Sequence, residues 1–431
     1  MGQEIARFIL SLICKLLNKL LIKLKLSDSA ETVRGVKMEN TVILAGARTP
    51  IGKLSGSLSS FSGADLGGVA ISGALGRAGI TPDKVDYVIM GQVLQAGTGQ
   101  VTARQAACNA EIPMSTPAIT INKVCLSGLN AIYLAAQMVE NGDAEIVIAG
   151  GMESMTNAPY LVPKGRSGYK YGNAEMLDVI QYDGLFCALE KELMGEGTER
   201  YAASADIARS NQDEVAQKSH QRASSAIENG NLSEEIIPME IPQRRGEPIS
   251  FEHDEGVRPG TDLEGLQKLR PAFAESGNIT AGNASQISDG GSAVVITSRD
   301  VADRLSVEPL AELISYGQVA GPDTSLLTQP SRAIFDALSN SELALSDIEL
   351  FEINEAFAAV SVASMADLGI DDSVVNVNGG AIALGHPIGM SGNRLALTLA
   401  YQLKRQGGGV GAAALCGGGG QGDALILKAI G

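Results

Sequence analysis

The sequence predicts an α/β protein built from two copies of one strand–helix unit, with a long insertion in the first copy. Three observations carry this. β-branched and apolar runs alternate with helical patterns along most of the chain. Two sets of these elements match each other at a nearly constant offset. A stretch of denser charge, from about residue 155 to 287, has no counterpart in the second set.

The chain begins with an amphipathic extension, residues 1–39. Residues 1–37 hold seven basic and three acidic side chains, a local charge of +4, so the remainder carries −20 to give the total of −16. Between Phe8 and Leu26 the residues are mostly Leu and Ile, and Ser11, Lys15, Lys19 and Lys23 recur every four positions, the spacing of a cationic stripe on an apolar helix. The uncharged run Phe8–Cys14 is too short to span a bilayer. A membrane anchor and an organellar presequence are the alternatives to the reading favoured here, a dispensable stretch ahead of a functional start at Met38.

Strand candidates in the first set are Thr41–Ala47, Tyr87–Gly91, Ala118–Asn122 and Glu145–Gly150; in the second, Leu350–Asn354, Val374–Asn378, Gly411–Cys416 and Asp423–Ala429. Helical patterns run over Asp65–Gly76, Gly128–Glu140, Ala356–Asp367 and Gly392–Arg405, and this alternation implies largely parallel sheets. Ala74-Leu75 and the following Thr81–Asp86 correspond to Ala337-Leu338 and Leu345–Glu349, at an offset near 263. Ser127-Gly128 corresponds to Ser391-Gly392 at an offset of 264. The expected division is 40–154 (completed by about 288–308), an insertion over 155–287, and 309–431. Two packed copies place a site at their junction.

Composition narrows the chemistry. With 431 residues, 45% of them hydrophobic, the chain buries a large core, which excludes disorder as its main state. The five cysteines, at 14, 108, 125, 187 and 416, are scattered and form no CxxC pair, and three histidines in no cluster leave no metal-site pattern. The acidic balance disfavours nucleic acid. Local basic residues in the insertion (Arg244, Arg245, Arg258, Lys268 and Arg270) would suit a phosphate-bearing ligand.

Three segments could do chemistry. In Asn122-Lys123-Val124-Cys125-Leu126-Ser127-Gly128 a strand ends and a helix begins around Cys125, and free N–H groups there favour a thiolate. His386 sits among glycines in Asn376–Gly389, where backbone can approach a ligand closely. Cys416-Gly417-Gly418-Gly419-Gly420-Gln421-Gly422 follows a small-residue strand, and its N–H groups can face a developing oxyanion. The bland readings are a buried apolar thiol at Cys125 and a tight turn at the glycine run. His220 and His253 read as surface residues, and Glu355 as orienting a neighbour or buttressing the fold, with no proton-transfer role.

With Asn354–Ala358 (NEAFA), Lys268–Phe273 (KLRPAF) and Thr280–Ser285 (TAGNAS), these segments occur in the order and form of the thiolase family, and the chain from Thr41 to Gly431 resembles it. The resemblance implies a layered α/β/α/β/α core of two βαβαβαββ halves, with the insertion as a CoA-binding loop domain. It implies an acyltransferase whose best-fitting branch, the acetyl-CoA acetyltransferases, condenses two acetyl-CoA to acetoacetyl-CoA and CoA reversibly; the alternative is a 3-ketoacyl-CoA thiolase of broader chain length. By the same resemblance Cys125 is the acyl nucleophile, His386 its base and an oxyanion donor, Cys416 the second acid/base, Asn354 the holder of an oxyanion water, and Gly418 a backbone oxyanion donor. Arg258, Ser285, Met194, Leu193 and Leu126 fall at substrate- or CoA-binding positions. Leu193 stands where the biosynthetic branch commonly has His, and Leu126 where Gly is common; both are expected to shape the acyl pocket. No metal or prosthetic group is implied, with CoA serving as substrate. The implied partners are acetyl-CoA, acetoacetyl-CoA and a second or further copies of the chain, as homodimer or homotetramer, in the cytoplasm. An organelle is the alternative if residues 1–37 are a presequence. A decarboxylating ketoacyl synthase would want a second His in place of Cys416.

Overall fold

The computed structural model describes residues 36–430, so the expected helix between Phe8 and Leu26, with Cys14, lies outside the described residues. The first half runs β1 (Thr41–Arg48), α1 (Gly63–Ala78), β2 (Tyr87–Gly91), α2 (Thr102–Asn109), β3 (Ala118–Ile121), α3 (Ser127–Glu140) and β4 (Ile146–Ser154). Two helices of the insertion follow, α4 (Met194–Ser204) and α5 (Arg209–Glu228), and then β5 (Ser288–Ser298). The second half runs β6 (Ala311–Ala320), α6 (Gln329–Ser339), β7 (Leu350–Ile353), α7 (Ala358–Leu368), α8 (Ile388–Arg405), β8 (Gly408–Gly417) and β9 (Gln421–Ile430).

The main strands follow one hydrogen-bonded path, β7-β8-β9-β6-β1-β5-β4-β2-β3. β6 meets β1 through only two residue pairs, Ala311 with Ile43 and Glu312 with Val42, so two half-sheets are linked at an edge. The expectation of largely parallel sheets needs correction. Among the strand ladders of the described residues, only β7–β8, β4–β2 and β2–β3 are parallel. β8 turns straight back into β9, and β5 threads antiparallel between β1 and β4, with Ala293 opposite both Ala47 and Gly150.

Three apolar clusters define five layers. Ala70, Ile71 and Ala74 of α1 pack with Val42, Met90 and Val295 on one outer face. Ile334 and Ala337 of α6 pack with Ala412, Ala424 and Ile426 on the other. Between the half-sheets lie α3 and α8, whose Leu129, Ile132, Leu395 and Leu399 share a cluster with Val147 of β4 and Leu425 and Leu427 of β9. α1 starts at a Ser62–Asp65 capping box and ends at Gly79 in the left-handed region. The duplicated turns are alike: Pro82–Lys84 and Leu345–Asp347 each form one 3₁₀ turn ahead of β2 and β7.

Two further expectations are corrected. Val374–Asn378 is not a strand but a single bridge from Phe351 to Val375, because Asn376 turns into the left-handed region (φ 48°). Its side chain replaces the ladder, donating to Ile353 O (2.8 Å) and accepting from Ile353 N–H (2.8 Å). His220 is buried: α5 turns a mostly polar face inward, including Asp213, Ser219 and His220, and each finds a partner there. His253 is exposed. No helix among the described residues is long and apolar enough to cross a membrane.

Candidate active site

The two central helices bring the chemistry together because their N-termini touch at glycine. A Cβ on Gly128 would lie 2.8 Å from Asn393 N, and one on Gly392 would lie 2.5 Å from Leu129 N, so any side chain would force the helices apart. Cys125 lies just ahead of α3 and His386 just ahead of α8, so this crossing sets both at the junction of the halves.

Cys125 follows Val124, a β-branched residue at φ 51°. That conformation costs about 1–2 kcal/mol and persists only where neighbours fix it. They do: Val124 N–H donates to Asn122 Oδ1 (2.9 Å), and the Ser127 hydroxyl accepts from Lys123 N–H (2.8 Å) and donates to Val124 O (2.6 Å). The thiol is 5% exposed, and burial pushes it up to about 12. The backbone N–H groups of Cys125 and Gly418 face the sulfur and oppose that rise, while Glu153 adds to it. The expected thiolate is therefore corrected. Desolvation outweighs the N–H groups, and the Lys123 ammonium two residues away is paired with Asp423, so the resting group is a thiol.

His386 is buried and held near a pKa of about 4, first by desolvation and then by the Arg394 charge, so its ring is neutral at ordinary pH. Its Nδ1 lies 2.6 Å from Ser391 Oγ. That hydroxyl donates to Pro387 O (2.9 Å), so its oxygen accepts from Nδ1–H. The lone pair is then on Nε2, 3.4 Å from Asn354 Nδ2. Asn354 is fully buried, and its Oδ1 has no hydrogen-bond partner among the described residues, an acceptor available to a water or a ligand.

Cys416 is the next-to-last residue of the small-residue strand β8, 1% exposed, in an apolar cluster with Leu326, Ala356, Val360, Met194 and Phe357. Burial raises its pKa, and the Cys125 thiolate would raise it further, so the two sulfurs are electrostatic neighbours.

A cleft of about 980 Å³ is lined by Val124, Gly418 and Met194, beside the two thiols in sequence or space, and by Tyr182, Phe186 and Leu189 of the insertion. Of the other expected binding residues, Leu126 lies in the core beneath Gly417, where a Cβ would stand 2.6 Å from its side chain. Leu193 is half-buried and pairs with Phe186. Arg258 is exposed, with its N–H on His220 Nδ1 (3.1 Å), and Ser285 is half-buried with its N–H on Ala356 O (3.0 Å). Among the described residues no group of three His, Cys, Asp or Glu is arranged to hold a metal.

Three residues escaped the sequence reading. Ser391 was visible only as the repeat partner of Ser127. Glu153, fully buried, accepts N–H bonds from Val93 (3.0 Å), Leu94 (3.1 Å) and Gly389 (3.0 Å), and burial pushes it up to about 7. Its signal was a lone acid at the end of an apolar strand. Asp423, described below, gave a similar signal in β9. Glu355 is a buttress: its carboxylate accepts from Ser219 Oγ (2.6 Å), Asn376 Nδ2 (2.9 Å) and Ile382 N–H (3.0 Å), fixing the loop that leads to His386.

Two buried thiols, a neutral imidazole and backbone N–H groups meet at a doubled α/β junction, an arrangement suited to acyl transfer through a thioester. The family models for the thiolase N-terminal and C-terminal domains match residues 41–300 and 307–429, and the chain belongs to the thiolase family. It is 53% identical over 392 residues to a probable acetyl-CoA acetyltransferase of Mycobacterium tuberculosis, covering 91% of this chain and 100% of that one. It is 52% identical over 387 residues to the corresponding protein of Mycolicibacterium smegmatis, covering 90% and 100%. With the acetyl-CoA acetyltransferase of Cupriavidus necator it shares 47% over 392 residues, covering 91% and 100%.

Proposed function

We propose that this protein is an acetyl-CoA C-acetyltransferase, condensing two acetyl-CoA into acetoacetyl-CoA and CoA and running the thiolysis in reverse. The observation that carries it is His386 Nε2, an unprotonated nitrogen beside Asn354 at the start of the helix that crosses the Cys125 helix. Cys125 gives its proton to Nε2 as the sulfur attacks the acetyl thioester. The proton moves within a buried neutral pair, so no free thiolate accumulates. The N–H groups of Cys125 and Gly418 hold the oxyanion, each worth about 2.7–4 kcal/mol in transition-state stabilisation. Cys416 gives its proton to the departing CoA sulfur, so CoA leaves as the thiol, Cys125 carries the acetyl group and Cys416 is left as a thiolate. Cys416 then removes a methyl proton from the second acetyl-CoA. The enolate oxygen is held by the Nε2–H that His386 gained from Cys125 and by a water on Asn354 Oδ1; its carbon attacks acetyl-Cys125, whose sulfur leaves and takes that proton back. In thiolysis Cys416 deprotonates incoming CoA instead.

The 155–287 insertion serves as the CoA domain, with Arg258, Ser285, Met194 and Leu193 at its contacts and Leu126 backing the Cys416 turn. CoA is substrate, with no prosthetic group; the working form is a homodimer or homotetramer in the cytoplasm. The apolar Phe186 and Leu189 in the cleft keep a second reading in play, a thiolase of longer 3-ketoacyl chains. CoA-dependent thiolysis of acetoacetyl-CoA beside a medium-chain 3-ketoacyl-CoA decides, with Cys125→Ala as control. Activity on acetoacetyl-CoA alone, lost in the variant, is expected. Equal or better turnover of the longer substrate selects the second reading, and no activity on either refutes both.

A further inference from the structure

A buried polar network crosses between the halves beside Cys125, and the mechanism above does not use it. The Lys123 ammonium donates to both oxygens of Asp423 (2.7 and 2.9 Å) and to Gln318 Oε1 (2.9 Å), which employs all three of its protons. Tyr316 OH donates to Asp423 Oδ2 (2.7 Å), and Asn130 Nδ2 donates to the phenol oxygen (3.4 Å). The Tyr133 ring stacks on Tyr316 with centroids 4.5 Å apart. Asp423 and Tyr316 are fully buried, and the Lys123 side chain is one-fifth exposed.

Its position is informative. Lys123 belongs to the strained turn that presents Cys125. Asp423 lies opposite Leu415 in the β8–β9 ladder, next to the Cys416–Gly422 pair and just past the glycine turn that carries Gly418. Four consecutive glycines fix their own geometry poorly, and Val124 at φ 51° would relax if released. The two oxyanion donors, Cys125 N–H and Gly418 N–H, therefore come from two segments that need an external tie. A buried ion pair is a weak stability device, since an apolar pair of similar volume would serve as well. A directional link with five hydrogen bonds suits the fixing of a distance.

We propose that Lys123, Asp423 and Tyr316 form a brace that holds the Cys125 turn against the Gly418 turn, making them positioning residues for the oxyanion hole. The inference rests on the assignment of those two N–H groups above.

The test uses the full-length protein with Lys123→Met, Asp423→Asn, the double variant and Tyr316→Phe. Steady-state thiolysis of acetoacetyl-CoA is measured with thermal stability and the pH profile of Cys125 alkylation. Each charge variant is expected to lose kcat by about tenfold or more, with KM within about twofold of wild type. The double variant should lose no more than the worse single one, because the two residues act through each other. Asp423→Asn leaves an unpaired ammonium two residues from Cys125 and should move the alkylation profile to lower pH. Lys123→Met leaves an unpaired buried carboxylate and should move it to higher pH. Tyr316→Phe keeps the ion pair and should give a smaller loss of kcat, which keeps the test open if a charge variant fails to fold. Unchanged kcat with only a lowered melting temperature, or additive losses in the double variant, would overturn the brace. If the wild-type protein does not thiolyse acetoacetyl-CoA, the functional reading fails. The opposed alkylation shifts then test the brace alone: their presence supports it and their absence overturns it.

Discussion

Ser391→Ala is the sharpest test of how His386 works. The hydroxyl touches no substrate in the proposed mechanism, yet it decides which ring nitrogen carries the proton. With its own hydrogen on Pro387 O, the oxygen accepts Nδ1–H at 2.6 Å, leaving Nε2 free as the base. In the alanine variant the ring either keeps Nδ1–H without a partner, in a site only 6% exposed, or moves the proton to Nε2. The first costs about 1–3 kcal/mol for a buried donor left unpaired. The second avoids that cost by giving up the base. A preference of that size, at about 1.4 kcal/mol per factor of ten, lowers kcat about tenfold to a hundredfold, with KM little changed. Ring-nitrogen chemical shifts measured by NMR at neutral pH report the tautomer directly, because the chain has only three histidines. His220 supplies an internal contrast: its Nδ1 accepts the Arg258 N–H at 3.1 Å, so when neutral it is protonated on Nε2, opposite to His386. A variant with wild-type kcat, or a wild-type His386 already protonated on Nε2, would refute the reasoning.

Three further outcomes are expected. Gly420→Ala should lose at least about 2 kcal/mol in urea unfolding, since the residue sits at φ 70° with a Cβ placed 2.0 Å from Asp323 O; Gly418→Ala, whose Cβ meets Met194 Cε and Val124 Cγ1 at an ordinary 3.5 Å, should stay within about 0.5 kcal/mol. Glu153 has its pKa raised by burial from 4.5 to about 7, so it binds its proton more tightly folded than unfolded; its contribution is full below pH 4.5 and is lost as pH rises through about 7. Urea titrations should therefore show wild type losing about 2–3 kcal/mol relative to Glu153→Gln between pH 5 and pH 8, and a constant difference would contradict the assignment. Glu355→Ala strands the Ser219, Asn376 and Ile382 donors and should cost about 3 kcal/mol or more together with kcat, read by unfolding and by thiolysis.

What the sequence disclosed depended on whether one residue's surroundings or several segments' packing set the answer. The strands were legible because they are continuous apolar runs, buried along their length as in Ile146–Ser154. The repeat was legible because Ser127-Gly128 and Ser391-Gly392 mark the same helix crossing twice. Their directions were not, since antiparallel β5 arrives after an insertion whose length says nothing of where it returns. Val374–Asn378 looked like a strand by its valines, but one asparagine in the left-handed region ended it. His220 was misread because a polar helix face can be buried when each polar group meets a partner. The Cys125 ionisation was misread because a helix end is local while desolvation belongs to the whole junction.

Two of the residues the sequence hid share a pattern that ties the halves together. Glu153 lies one residue before the end of β4 of the first half, yet it accepts the N–H of Gly389, in the first turn of α8, the second-half helix that His386 precedes. Asp423 lies on β9 of the second half, yet it holds Lys123, in the turn before α3 of the first. Each half lends a buried acid to the reactive turn of the other. Inside each turn a serine of the repeat plays the same part. Ser127 donates to Val124 O while accepting a backbone N–H, and Ser391 donates to Pro387 O while accepting the imidazole N–H. The duplicated scaffold is thus near-symmetric in how it fixes its two turns and asymmetric only in what they present, a thiol on one and a base on the other. That division puts the proposed nucleophile and its proposed proton acceptor just ahead of separate helices, with the Gly128–Gly392 crossing setting their approach. A side chain at either glycine would part the helices and separate the pair even with every reacting group still in place.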